Sequence, residues 1–181
     1  MADPVGSRIN EKSDGRQMVK IGLIKSLEMG SYCGIAGLVI GTCFTGFSTG
    51  EGVFSYLWLR ASLSATISGS VIWYFFVIKP EKYEDRGMTA GIAISLVSQY
   101  FCWYMQLAYS YLHYLATGSP TNSFGEPPPN LFEAVDVSAS GLFLSLLWLF
   151  WLTLPVGAMI GARVAIRQNT DPTSRFDTDR G

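Results

Sequence analysis

The stretch MTAGIAISLVSQYFCWYMQLAYSYLHY, residues 88–114, decides how this chain is read. It holds no Asp, Glu, Lys or Arg, and at about 1.5 Å per residue it is long enough for a helix to cross a bilayer. Polar and semi-polar residues recur along it as Ser95, Gln99, Cys102, Gln106, Tyr109 and His113, at steps of four, three, four, three and four. Such steps return to one helix face. The stretch predicts a crossing helix with one seam that prefers protein or water to lipid tails. Other helices are then needed to meet that seam.

Three further uncharged runs supply them, at 29–47, 61–78 and 137–162. Each comes close to or exceeds the roughly 20 apolar residues a span requires. Only 15% of the 181 residues are charged, and those cluster in the tails and in one connection. The expected fold is an all-α integral membrane protein of four antiparallel transmembrane helices, with spans near 29–47, 61–78, 88–114 and 138–162. Net charge is −1, and no basic face is available to neutralise phosphates, so nucleic acid is not an expected partner. The bilayer is, together with other membrane-protein subunits or a second copy of the chain.

Basic residues set the orientation. Twelve of the thirteen fall in the N-terminal region, the connection near residues 79–86 or the C-terminal region, and the exception is Arg60. The positive-inside rule then places both termini in the cytoplasm and the Pro-rich connection outside. Residues 1–16 and 167–181 read as flexible cytoplasmic tails. Residues 17–28 read either as an interfacial amphipathic helix or as extra turns of the first span. No small-residue cleavage site follows the first run, which is expected to remain as a span. No transit peptide is evident, and a bacterial inner membrane is the expected location.

Small residues mark the places where helices can approach closely. Gly30, Gly34, Gly37 and Gly41 form two G-x-x-x-G pairs, Gly69 shares a face with Ser62 and Thr66, and Gly157 and Gly161 form a second seam past Pro155. These seams suit packing within the bundle or a docking face for another subunit. Pro155 should kink the last helix. Arg60 can snorkel to the headgroups. Pro80 and Gly87 bound a charged hairpin tip, and the connection near 116–136 carries the triplet Pro127–Pro129 and an LFEAV segment suited to a short interfacial helix.

Reactive chemistry is sparse. The spans lack the ionisable groups on which proton relays and ion-coupled transport depend. Cys33, Cys43 and Cys102 all lie inside spans without a C-x-x-C pair, so neither a disulfide framework nor a metal site is implied. No hydrolase or phosphate-binding motif appears. The chain is not expected to be an enzyme or to carry a cofactor. His113 is the one candidate ligand, for a haem, a pigment or a quinone pocket, against the simpler role of an interfacial histidine. Gln99 and Gln106 suit either interhelical hydrogen bonds, worth about 0.6–2 kcal/mol each, or the lining of a pore or cavity.

Three functions follow as expectations. The preferred one is a non-catalytic subunit or assembly factor of a larger membrane complex, such as a secretion or conjugation apparatus or an energy-transducing complex. The second is a small oligomeric channel or carrier lined by Gln99 and Gln106. The third is a haem-, pigment- or quinone-binding membrane protein that uses His113.

Overall fold

The computed structural model describes residues 4–47, 56–80, 83–119 and 125–170. Among them there are four long helices and no strand: α1 (Pro4–Phe47), α2 (Leu57–Trp73, continued by a π-helical turn at Tyr74–Ile78), α3 (Tyr83–Thr117) and α4 (Glu133–Thr170). Three stretches are long and apolar enough to cross a membrane, Val19–Cys43 in α1, Leu57–Ile78 in α2 and Leu149–Thr170 in α4. The expected fourth, in α3, is not among them. At 35 residues the helix has the length, but its amides, hydroxyls and tyrosines hold down its hydropathy.

Helix ends differ from the sequence reading in instructive ways. The helix α1 runs unbroken from Pro4, so residues 4–16, expected as a flexible tail, are helical, and 17–28 forms added turns of the first span rather than a separate interfacial helix. Its 44 residues cover about 66 Å, roughly twice the hydrocarbon thickness. Likewise α4 continues through Thr170. The expected C-terminal tail beyond it, the start of the N-terminal tail at 1–3, and much of the connections at 48–55 and 120–124 lie outside the described residues. The LFEAV segment does not form a separate helix. Asn130 caps α4 instead: its Oδ1 accepts from the backbone N–H groups of Phe132 (3.0 Å) and Glu133 (2.9 Å), and Glu133 Oε2 accepts from the Asn130 N–H (3.1 Å). This reciprocal box satisfies donors that the first helical turn leaves open.

Consecutive helices pack antiparallel, most closely as two hairpins, α1–α2 and α3–α4, joined through α2–α3. Missing side chains set the first hairpin. A Cβ on Gly37 would stand 2.6 Å from the Ala61 carbonyl oxygen, and one on Gly41 2.6 Å from Trp58 Cα. Gly30 and Gly34 meet Ser70 and Thr66 of α2 in the same way, and Gly69 returns the contact against Gly30 and Cys33. The second hairpin repeats the device, Gly157 and Gly161 lying on Gly91, Ser95 and Gly87. Gly87 is therefore a helix-contact residue inside α3, not the turn expected of it.

α1 and α4 meet far less, and a polar clasp joins them at one end. Trp73 Nε1 donates to Gln168 Oε1 (3.0 Å), whose amide nitrogen donates to the Lys25 carbonyl (3.0 Å) and to Glu28 Oε2 (3.3 Å). Alongside, Arg167 Nη1 donates to the Tyr32 hydroxyl (2.7 Å) and lies 3.5 Å from Glu28 Oε1. The π turn positions this end of α2. Its bond from the Lys79 N–H to the Tyr74 carbonyl (2.9 Å) spans five residues, and Trp73 and Val77 are both fully buried while Phe75 and Phe76 remain exposed.

Candidate functional site

Above the clasp lies a cleft of about 250 Å³ to which all four helices contribute. Three of its sides are closed by the α1–α2, α2–α3 and α3–α4 contacts. The fourth lies between α1 and α4, where contacts are fewest. The small residues Ala36, Gly37 and Ala61 keep α1 and α2 thin where they face the cleft, and Ile94, Leu149, Val156 and Ile160 supply its apolar surface.

Polar residues in the wall are largely turned inward. Ser64 donates to the Ala61 carbonyl (3.1 Å), Ser98 to Ser95 (3.1 Å), Ser145 to Gly141 (2.8 Å) and Thr153 to Leu149 (3.0 Å). Ser95 reaches both Gly91 on its own helix and Thr153 on α4, each at 3.1 Å. Trp103 Nε1 donates across to Ser145 Oγ (2.6 Å). Such back-bonding satisfies hydroxyls without a ligand and leaves a cleft wall that is mostly hydrocarbon.

The polar seam of α3 divides along its length. Ser95 and Gln99 face α4, and Gln99 Nε2 donates to Thr153 Oγ1 (2.8 Å). Cys102, Gln106 and Gln99 line the cleft, with Cys102 beside Ser64 of α2. Two carbonyl oxygens, Gln99 Oε1 and Gln106 Oε1, are buried without a partner among the described residues. A buried acceptor left so costs about 1–3 kcal/mol. Beyond them stands Arg60. Its guanidinium lies 4.7 Å over the Tyr109 ring, with Nη1 buried and unpartnered among the described residues.

Tyr109 and His113 lie about one and two turns beyond Gln106 on α3, outside the cleft lining, their rings 6.1 Å apart. His113 Nδ1 lies 3.3 Å from the Thr117 hydroxyl, and no group of three or more His, Cys, Asp or Glu side chains suited to a metal occurs among the described residues. The structure thus brings Gln99, Cys102 and Gln106 together with Cys33 at one cleft and leaves His113 outside its lining. Ser145 and Thr153, which complete the site from α4, were not singled out from the sequence. Their signal is the four-residue row Gly141, Ser145, Leu149, Thr153, Gly157, a helix face in its own right. Comparison of the chain with protein-family models, with curated proteins and with solved structures finds no match in any of the three.

Proposed function

We propose that the chain is a multi-pass protein of a bacterial inner membrane that binds a small molecule with an apolar body in the cleft between its hairpins, as a carrier or binding protein without catalysis of its own. The observation that carries this reading is the cleft itself. Protein interiors hold few voids larger than a water molecule, and an apolar cavity of about 150 Å³ already takes up benzene. At about 250 Å³, this one is well beyond packing slack. A pocket with apolar walls and a few polar groups is the usual form of a small-molecule site.

In this reading α3 is the fourth span. It pairs with α4 from Gly87 against Gly161 to Trp103 against Gly141, so α4 cannot cross without it. Antiparallel order and the α1–α4 clasp then favour both termini on one side, which the distribution of Lys and Arg makes the cytoplasm. The subunit reading draws on the glycine seams together with the scarce charge in the spans, the minimal soluble domains and the sizeable outward loop, and of these the seams are occupied by neighbours within the chain.

Native mass spectrometry of the protein, extracted in mild detergent, tests the proposal. A small-molecule adduct is expected on the wild type and should be lost in Ala36→Phe, which fills the cleft from α1, with elution and helicity unchanged. An extract that carries no adduct, and takes none up from total lipid, overturns it. Stoichiometric association with other chains, indifferent to Ala36→Phe, would return the subunit reading to first place.

A further inference from the structure

We infer that the molecule taken by the cleft is a neutral alcohol from the lipid phase, a single-chain amphiphile whose hydroxyl donates to the amide oxygen of Gln99. This rests on the proposed binding role and adds the chemical class of the ligand.

The hydrogen-bonding inventory of the wall carries it. Ser64, Ser95, Ser98, Ser145 and Thr153 all direct their protons to helix carbonyls, and the Trp103 N–H is held by Ser145. Because the Thr153 proton goes to Leu149, its oxygen can only accept from Gln99. That fixes the Gln99 amide with its nitrogen on α4 and leaves its oxygen unmatched. Gln106, seven residues on and about 10 Å along the helix, leaves a second buried oxygen without a partner among the described residues. The unmatched polar atoms of the cleft lining are therefore acceptors, since Arg60, whose Nη1 is the third unmatched atom, stands outside that lining. Amide torsions of this type are broad, so a modest turn brings either oxygen to the cleft surface.

A hydroxyl answers that need, and a ketone, an ester or a carboxylate does not. An ammonium group is disfavoured by Arg60, whose guanidinium stands over Tyr109, less than one turn from Gln106, and by the cost of a charge at membrane depth. Size narrows the choice further. A volume of about 250 Å³ holds roughly eight groups of about 30 Å³ each, enough for one chain and not two. A single turn of a partner helix, about 10 Å across and 5.4 Å tall, already exceeds it. The side between α1 and α4 provides the route from the lipid.

The test uses the full chain in lipid nanodiscs with two photoactivatable probes, an eight-carbon alcohol carrying a diazirine and its methyl ether, and maps the labelled peptides by mass spectrometry. The alcohol should label the cleft segments of α3 and α4 at about tenfold lower concentration than the ether, the worth of one hydrogen bond to a buried acceptor. Gln99→Leu should erase that preference while ether labelling persists, and Gln99→Met serves if the leucine variant does not fold. Equal labelling by both probes overturns the hydroxyl assignment and leaves the binding role standing. Absence of cleft labelling by either probe overturns both.

Discussion

The amide of Gln168 is matched at both ends, its oxygen by the Trp73 indole and its nitrogen by the Lys25 carbonyl and Glu28, and the residue is only 3% exposed. Replacing it with leucine strands the buried Trp73 N–H and removes the Gln168 contacts to the Lys25 carbonyl and Glu28. Gln168→Leu is expected to lower unfolding free energy by about 1–3 kcal/mol. Adding Trp73→Phe should cost less than it does alone, with a coupling of about 0.6–2 kcal/mol. Unfolding in mixed micelles measures the cycle, and strictly additive costs would show that the clasp contributes nothing specific. Gln106 is the opposite case. Its buried oxygen has no partner within the described chain, so Gln106→Leu should be neutral or stabilising by up to about 1 kcal/mol. Substantial destabilisation by Gln106→Leu in the same micelle assay would mean that the amide is structural after all.

Helix contacts in this protein are made where side chains are absent. A Cβ on Gly157 would meet Ser95 Oγ and, at 2.6 Å, the Gly91 carbonyl, and one on Gly37 the Ala61 carbonyl. Backbone cannot step aside as a flexible side chain can. Gly37→Ala and Gly157→Ala should each destabilise by about 1–3 kcal/mol as overpacking does, while Met159→Ala on an exposed face of α4 should stay within about 0.5 kcal/mol. Equal effects in denaturant titrations would place the seams away from the packing surface. The spacing of these glycines was legible in the sequence, as was the α3 seam, because each is a property of a single helix. Helix ends were less so. Hydropathy marks where lipid lies, not where a helix stops, so α1 reaches back to Pro4 and α4 starts at Glu133, outside the apolar runs. The Asn130–Glu133 box was present in the sequence but fell under a segment read for its apolar residues. The cleft was not legible, since it depends on how far α1 stands from α4, and no periodicity within one helix records that distance.

At the scale of the whole molecule, three helices satisfy length and apolarity, and the proposed fourth crossing competes with an arrangement of three. Three crossings would put the ends of α1 and α4 that share the clasp on opposite sides of the membrane, although Arg167 and Tyr32 are bonded at 2.7 Å and Gln168 holds the Lys25 carbonyl. Four crossings keep those bonds and require α3 to carry two glutamines through the bilayer. Gln99 is partly compensated by Thr153, and the charged residues of α3 that are described lie before Gly87, near the end that the clasp marks. Labelling decides between the two arrangements. In a background with Cys33→Ala, Cys43→Ala and Cys102→Ala, single substitutions Lys20→Cys, Ser119→Cys and Asn169→Cys are exposed to a membrane-impermeant maleimide. Ser119→Cys should react in spheroplasts, and Lys20→Cys and Asn169→Cys only in inverted vesicles. Reaction of Lys20→Cys and Asn169→Cys from opposite sides would exclude four crossings, and the cleft would then have to be assembled without α3 as a span. Reaction of both from the same side requires an even number of crossings and so adds α3 to the other three, which sets Gln99 at a depth where a hydroxyl carried in from the lipid is worth most to it.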